Sequence, residues 1–128
     1  MQIDSINKVE LQGRIGAVKT SQFSAGTVAK LSVATNFMYK DKDGNPVIET
    51  TWHAVTVWSG KDISKETLES VKKGDGVHVV GRIRQLRYTD VNGNERTVME
   101  VLAHQLEIID TDDAAKQEVT VSRPKMSL

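Results

Sequence analysis

Residues 51–58 read Thr51-Trp52-His53-Ala54-Val55-Thr56-Val57-Trp58, an alternating pattern that predicts a β-strand. Because successive side chains of a strand point to opposite faces, Trp52 and Trp58 share one face and Val55 and Val57 point to the other. We expect the core on the valine side and both indoles at the surface. Exposed aromatic patches often mark binding surfaces, so this strand predicts a surface for a ligand with flat faces.

The composition indicates one globular domain, predicted to span residues 1–109, followed by a flexible polar tail over residues 110–128. The chain has 128 residues, 38% of them hydrophobic, with a formal net charge of zero and no cysteine. No apolar run approaches the roughly 20 residues that cross a bilayer, so we expect a cytoplasmic protein that does not contact membranes.

Nothing in the sequence resembles catalytic apparatus. There is no glycine-rich phosphate loop, no nucleophile elbow and no pair of carboxylates in an apolar setting. The three histidines fall in separate strands without acidic residues at ligand spacing. We therefore expect no enzymatic activity, no metal and no cofactor.

Five strand regions follow one another along the chain, separated by turn residues. We predict strands over 6–16, 28–36, 51–58, 77–84 and 96–109, with hairpin loops at Asp43-Gly44-Asn45-Pro46 and at Asn92-Gly93. One short helix is predicted within 61–73, capped by Asp62 or Ser64 and ended by Gly74. This order predicts an all-β OB-fold, a five-stranded Greek-key barrel with one short helix between strands 3 and 4.

The fourth strand adds cationic groups to the aromatic ones. Alternation puts Arg82, Arg84 and Tyr88 on one face. If the third and fourth strands contribute to one groove, these residues join Trp52 and Trp58 there. Rings for base stacking beside cations for phosphates are typical of single-stranded nucleic-acid binding, without sequence preference.

Tyr39 does not fit this face by alternation alone. It shares parity with Leu31 and Val33, which assigns it to the core side of a straight second strand. A bulge or bend within residues 35–38 is needed to bring it to the groove.

The ordered motifs resemble those of the bacterial single-stranded DNA-binding protein family over residues 6–109. The similar segments are Ile6-Asn7-Lys8-Val9-Glu10-Leu11-Gln12-Gly13-Arg14-Ile15-Gly16, Gly26-Thr27-Val28-Ala29-Lys30-Leu31-Ser32-Val33-Ala34-Thr35, Thr51-Trp52-His53, Lys73-Gly74 and Val80-Gly81-Arg82-Ile83-Arg84. The resemblance implies base stacking at four positions, Tyr39, Trp52, Trp58 and Tyr88. It also implies phosphate contacts from Lys61, Arg84 and Arg87.

The resemblance further implies a nucleoid-associated homotetramer that serves DNA replication, recombination or repair. Pairing of first strands around residues 8–12 is expected to contribute to assembly, since proteins tend to cover an exposed sheet edge. Family members commonly end in an acidic peptide that recruits partner proteins, whereas this chain ends Arg123-Pro124-Lys125-Met126-Ser127-Leu128. Recruitment of replication proteins through an acidic tail is therefore in doubt.

Two alternatives stay open at the level of sequence. One is a primosomal OB-fold protein, a dimeric accessory of replication restart that binds single strands but acts chiefly through partner proteins. The other is an OB-fold module whose groove binds a protein or an oligosaccharide. Trp52 and Trp58 argue against the primosomal protein, because a protein-docking surface does not require two indoles directed at bases.

Overall fold

The computed structural model describes residues 4–110, which form a closed five-stranded barrel. The strands are β1 (Val9–Phe23), β2 (Gly26–Lys40), β3 (Pro46–Trp58), β4 (Gly76–Thr89) and β5 (Glu95–Asp110), and the helix α1 (Lys65–Ser70) lies between β3 and β4. The strand order is β1-β2-β3-β5-β4, and β3 pairs with β5 in parallel. The predicted fold and the position of the helix are confirmed. The predicted tail lies, from residue 111 onward, outside the described residues.

The core is aliphatic. Val55 and Val57 of β3 are almost completely buried, which confirms the valine side of this strand as the core side. Leu68 of α1 is also fully buried in the core. The remaining core residues come from the other four strands and from the segments that flank α1: Ile15, Ala29, Leu31, Val33, Ile63, Val71, Val77, Val79, Val101 and Ala103.

Strand β1 continues seven residues beyond Gly16, where the sequence predicts its end. Ile15 pairs with Val33 and Ala17 pairs with Ser32, so Gly16 is an extra, unpaired residue in β1. The glycine forms a bulge and does not stop the strand. The longer strand carries Phe23 at its end, next to the hairpin turn into β2.

The helix is shorter than predicted. Ser64 is its N-cap, and the Ser64 hydroxyl accepts a hydrogen bond from the backbone N–H of Thr67 at 3.1 Å. The helix ends at Ser70, because Val71 is already extended. Gly74 therefore does not end the helix; with φ of 95° it belongs to the turn that precedes β4.

The two predicted hairpin loops have the same construction. In residues 41–45 the Oδ1 atom of Asp41 accepts backbone N–H groups of Asp43 and Asn45, both at 2.9 Å. In residues 90–94 Asp90 holds the backbone in the same way, also at 2.9 Å. Gly44 and Gly93 both have φ of 82°, a conformation that favours glycine. Each loop joins two strands that extend past the barrel as a two-stranded arm.

The bulge expected within residues 35–38 is absent. The β2–β3 register runs without a shift from Val28 opposite Trp58 to Lys40 opposite Pro46. Tyr39 is nevertheless 43% exposed, because this part of β2 lies in the arm, where no barrel covers either face. Tyr39 lies on the same face of β2 as Leu31 and Val33, as predicted. It is not buried, because the core does not extend as far as this residue.

Candidate nucleic-acid interface

The two tryptophans of β3 lie on the outer face of the barrel. Trp52 is 59% exposed and Trp58 is 38% exposed. The six-membered ring of Trp52 lies over Gly16, so closely that a Cβ added at Gly16 would overlap Cζ3 of the indole. Because Gly16 has no side chain, the Trp52 ring can occupy the space above it.

Thr56 lies between the two tryptophans on the same face of β3. It is buried and belongs to a cluster of polar side chains with Glu100 and Arg84. Its hydroxyl donates to Oε1 of Glu100 at 2.8 Å, and Nε of Arg84 donates to Oε2 of Glu100 at 2.7 Å. Arg84 and Glu100 are directly opposite each other on β4 and β5. A buried carboxylate therefore fixes the Arg84 side chain on the outer face next to β3.

Tyr88 continues this outer face along β4. It is 50% exposed and, by alternation, lies on the face of Arg82 and Arg84. Arg96 is directly opposite Tyr88, and its Nε donates to Oδ2 of Asp90 at 2.8 Å. That hydrogen bond, together with those from the backbone of the loop, lowers the pKa of Asp90 below its ordinary value. The loop next to Tyr88 is therefore held by an ionised carboxylate.

A surface pocket of about 260 Å³ opens beside Trp58. Phe23, at the end of β1, lies next to the indole with a ring-centroid distance of 5.9 Å and an angle of 41° between the planes. Lys30 and Arg84 line the same pocket. The pocket combines two rings with two cations.

Two of the predicted site residues, Arg87 and Tyr39, do not lie on this face, and Lys61 lies outside the strands. Arg87 is directly opposite Thr97 and, as alternation indicates, faces away from Tyr88. Lys61 is exposed in the loop after β3. Tyr39 lies on the β2–β3 arm, stacked against Phe37 at 6.1 Å, and its register puts it on the opposite face of the β2–β3 pair from Trp52.

The histidines make local contacts. His53 Nε2 is 2.8 Å from the Thr35 hydroxyl, and His78 Nε2 is 2.6 Å from Oε2 of Glu10. Within residues 4–110 no three His, Asp or Glu side chains come together as a metal site would require. In the same range, no helix has the length and apolar character to cross a membrane.

Comparison with known proteins shows to which family this barrel belongs. Residues 6–109 match the model of the Single-strand binding protein family. The chain belongs to this family.

Bacterial members of the single-strand binding protein family are among its curated relatives. It is 36% identical to Single-stranded DNA-binding protein 1 of Xylella fastidiosa (strain 9a5c), over 82% of this chain and 78% of the relative. It is 31% identical to the Single-stranded DNA-binding protein of Neisseria meningitidis serogroup B, over 82% of this chain but only 60% of the relative. The relatives that it matches are therefore longer, some of them considerably.

Among solved structures, the Plasmodium falciparum SSB in complex with ssDNA has the same fold. The TM-score is 0.68 at 22% identity, and the match covers 88% of this chain and 100% of the other. At this level of identity the likeness concerns the barrel and its arms, and not individual contacts.

Sequence reasoning missed Phe23 and Lys30 beside Trp58, the buried Glu100 beneath Arg84, and Phe37 beside Tyr39 on the arm. Phe23 fell beyond the predicted end of the first strand, so it was never paired with Trp58. Phe23 could have been found only by treating Gly16 as a bulge and continuing the first strand past it. Glu100 carries no signal in sequence, since its partners are 16 and 44 residues away.

Proposed function

We propose that this protein binds single-stranded DNA without catalysing a reaction, and protects it during replication, recombination or repair. Bases stack on Tyr39, Trp52, Trp58 and Tyr88, and phosphates contact Lys61, Arg82, Arg84 and Arg87. Membership of the single-strand binding protein family supports this proposal, as do the names of the relatives.

One observation carries the proposal: every aromatic side chain of the protein is exposed. The chain has two Trp, two Tyr and two Phe residues, and the exposed fractions of these six side chains range from 38% to 64%. Aromatic residues normally contribute much of a core's buried area. Here aliphatic residues fill the core, and all the rings remain available to a ligand.

The energetics favour an unpaired strand. Stacking of one base on an aromatic side chain contributes roughly 1–3 kcal/mol and tolerates any base. The bases of a duplex are already stacked on one another, so a duplex offers this surface only its phosphates. Phosphate contacts add affinity that decreases with salt. Binding should therefore depend on strandedness more than on sequence.

The positions of Tyr39 and Arg87 away from the outer face are compatible with a strand that wraps. Both residues lie on arms that project from the barrel. A strand that leaves the outer face around an arm meets the opposite face of that arm. Single-stranded DNA is flexible enough for such a path, whereas a duplex has a persistence length of about 150 base pairs.

A homotetramer is part of the proposal, with the first strand as one contact. Residues 9–14 of β1 pair with β4 on one side, and pairing with β2 starts only at Arg14. Residues 9–13 thus have one edge without a strand partner among the described residues. A second copy of the chain can pair there. We place the assembly in the cytoplasm, on the nucleoid.

Tryptophan fluorescence tests the function directly. Oligo-dT should quench Trp52 and Trp58 strongly, and a hairpin duplex of similar length should bind at least about tenfold more weakly, because its bases are not free to stack. Light scattering on the same samples gives the number of subunits. Absence of quenching by oligo-dT would contradict the proposal and leave an OB-fold module that binds a protein or an oligosaccharide in its place.

A further inference from the structure

We propose that the pocket between Phe23 and Trp58 is a nucleotide subsite that nothing in the sequence pattern indicates. One base packs against the two rings, and the adjoining phosphate lies between Lys30 and Arg84. The inference rests on the proposed binding of single-stranded DNA and extends its path from β3 and β4 onto the β1–β2 hairpin.

The ring geometry suits a base. Phe23 remains 59% exposed although it touches Trp58, so the contact does not serve to bury the phenyl ring. The two planes are tilted by 41°, which leaves an open wedge between them. Val28 is directly opposite Trp58 in the β2–β3 register and is 3% exposed. It forms an apolar floor beneath the wedge.

The two rings are held in place before any ligand binds. Phe23 and Gly26 close the β1–β2 hairpin as a paired couple. The next residue, Thr27, donates its backbone N–H to the Ser59 hydroxyl at 3.0 Å and accepts from the Ser59 N–H at 2.8 Å. Ser59 directly follows Trp58. Both rings are thus anchored to the same hydrogen-bonded junction, which lowers the entropy lost on binding.

The positive charges next to the rings favour the binding of an anion. Lys19 and Lys30 are directly opposite each other on β1 and β2, an arrangement that destabilises a sheet. Among residues 4–110 neither lysine has a carboxylate within salt-bridge distance. Arg84 supplies a third cation, kept in position by Glu100. A phosphate in this place offsets the repulsion between the lysines.

The size of the pocket restricts the occupant. Pockets for drug-sized ligands enclose roughly 300–1,000 Å³, and this one encloses about 260 Å³. A pocket of this size accommodates one base. The subsite therefore binds a single nucleotide of a longer strand.

Substitutions at Phe23 separate ring stacking from packing. Phe23→Leu keeps apolar cover over Val28 but removes the ring, whereas Phe23→Tyr keeps the ring. The probe is an oligo-dT of about ten nucleotides, within the site size of one OB-fold, titrated at high salt with tryptophan fluorescence as the readout. We expect Phe23→Leu to weaken binding about 5- to 20-fold and Phe23→Tyr to bind within about twofold of wild type. Thermal unfolding checks that both variants keep the fold.

The phosphate contact is tested by the salt dependence of the same titration. Lys30→Gln should reduce the slope of log K against log salt by about 0.7, the value for one phosphate of a single strand. Lys65→Gln is the charge-matched control, because Lys65 lies on α1 and pairs with Glu69 at 4.0 Å. This control should leave the slope unchanged.

The outcomes separate the subsite from the function as a whole. If wild type binds oligo-dT and Phe23→Leu binds equally well, the subsite is wrong and the proposed function stands. If Phe23→Tyr loses as much affinity as Phe23→Leu, the ring has only a structural role and the subsite is again wrong. If Lys30→Gln and Lys65→Gln give equal slopes, no phosphate lies at Lys30. If wild type itself does not bind, both proposals fail together.

Discussion

The Nε atom of Arg84 donates a hydrogen bond to Oε2 of Glu100 at 2.7 Å, across the β4–β5 pair on the outer face of the barrel. Glu100 is only 7% exposed, and its other carboxylate oxygen accepts from Thr56. A buried carboxylate is stable only with such partners. The same contacts orient an arginine beside Trp58, so one cluster serves both the fold and the candidate site.

Glu100→Ala should destabilise the protein by about 1.5–3 kcal/mol, because it leaves the Thr56 hydroxyl and the half-buried Arg84 without their acceptor. Urea unfolding measures the change. Glu107→Ala is the matched control, since Glu107 is an exposed glutamate of the same strand and should change stability by less than about 0.5 kcal/mol. Equal effects of the two substitutions would show that the Glu100 cluster does not stabilise the barrel.

Gly16→Ala should move the Trp52 ring without unfolding the barrel. The added Cβ would meet only the outer end of the indole, which can turn away. We expect oligo-dT affinity to fall severalfold while the melting temperature changes little. By contrast, Gly13→Ala would make its Cβ overlap the backbone oxygen of Ala34 and should destabilise the fold strongly. Unchanged affinity in Gly16→Ala would show that the position of Trp52 does not matter for binding.

The barrel was predictable because its signals are local. Alternation in residues 51–58 and the glycine-containing loops identify strands and hairpins from a few neighbouring residues. Exposure of Trp52 and Trp58 followed from the same alternation. These features need no knowledge of distant contacts.

The features that sequence did not reveal depend on where the barrel ends. Alternation states which face Tyr39 occupies, but not that β2 and β3 leave the barrel before that residue. The sequence predicts a strand end at Gly16, because a glycine that forms a bulge and a glycine that ends a strand look alike in sequence. With the strand predicted to end at Gly16, neither the position of Phe23 nor the pocket beside Trp58 could be predicted.

Trp52→Ala should weaken oligo-dT binding more than Arg82→Ala at high salt. Salt screens the contact between Arg82 and phosphate but leaves stacking largely intact. The loss for Trp52→Ala should be roughly 5- to 150-fold, which corresponds to about 1–3 kcal/mol for one stacked base. Titrations at low and high salt measure both variants. Equal losses at high salt would count against stacking as the dominant contribution.

Acid should loosen the loop beside Tyr88. The hydrogen bond from Arg96 holds the pKa of Asp90 below its ordinary value of 3.8. The contribution of Asp90 to stability is therefore fully present above this value and is lost as the pH falls through the lower pKa of the folded state. An NMR titration of the Asp90 carboxyl carbon measures this pKa. Arg96→Gln should raise it, and Arg82→Gln, the control, should not. An Asp90 pKa that does not respond to Arg96→Gln would contradict the assignment.

Photocrosslinking tests most directly whether the exposed rings contact unpaired bases. Oligonucleotides carrying 5-iodouracil are irradiated with the full-length protein, and the joined residues are identified by mass spectrometry. We predict crosslinks at Trp52, Trp58 and Tyr88, and their disappearance when a complementary strand is annealed first. Crosslinks confined to residues elsewhere on the protein, or equal yields with the duplex, would contradict the account.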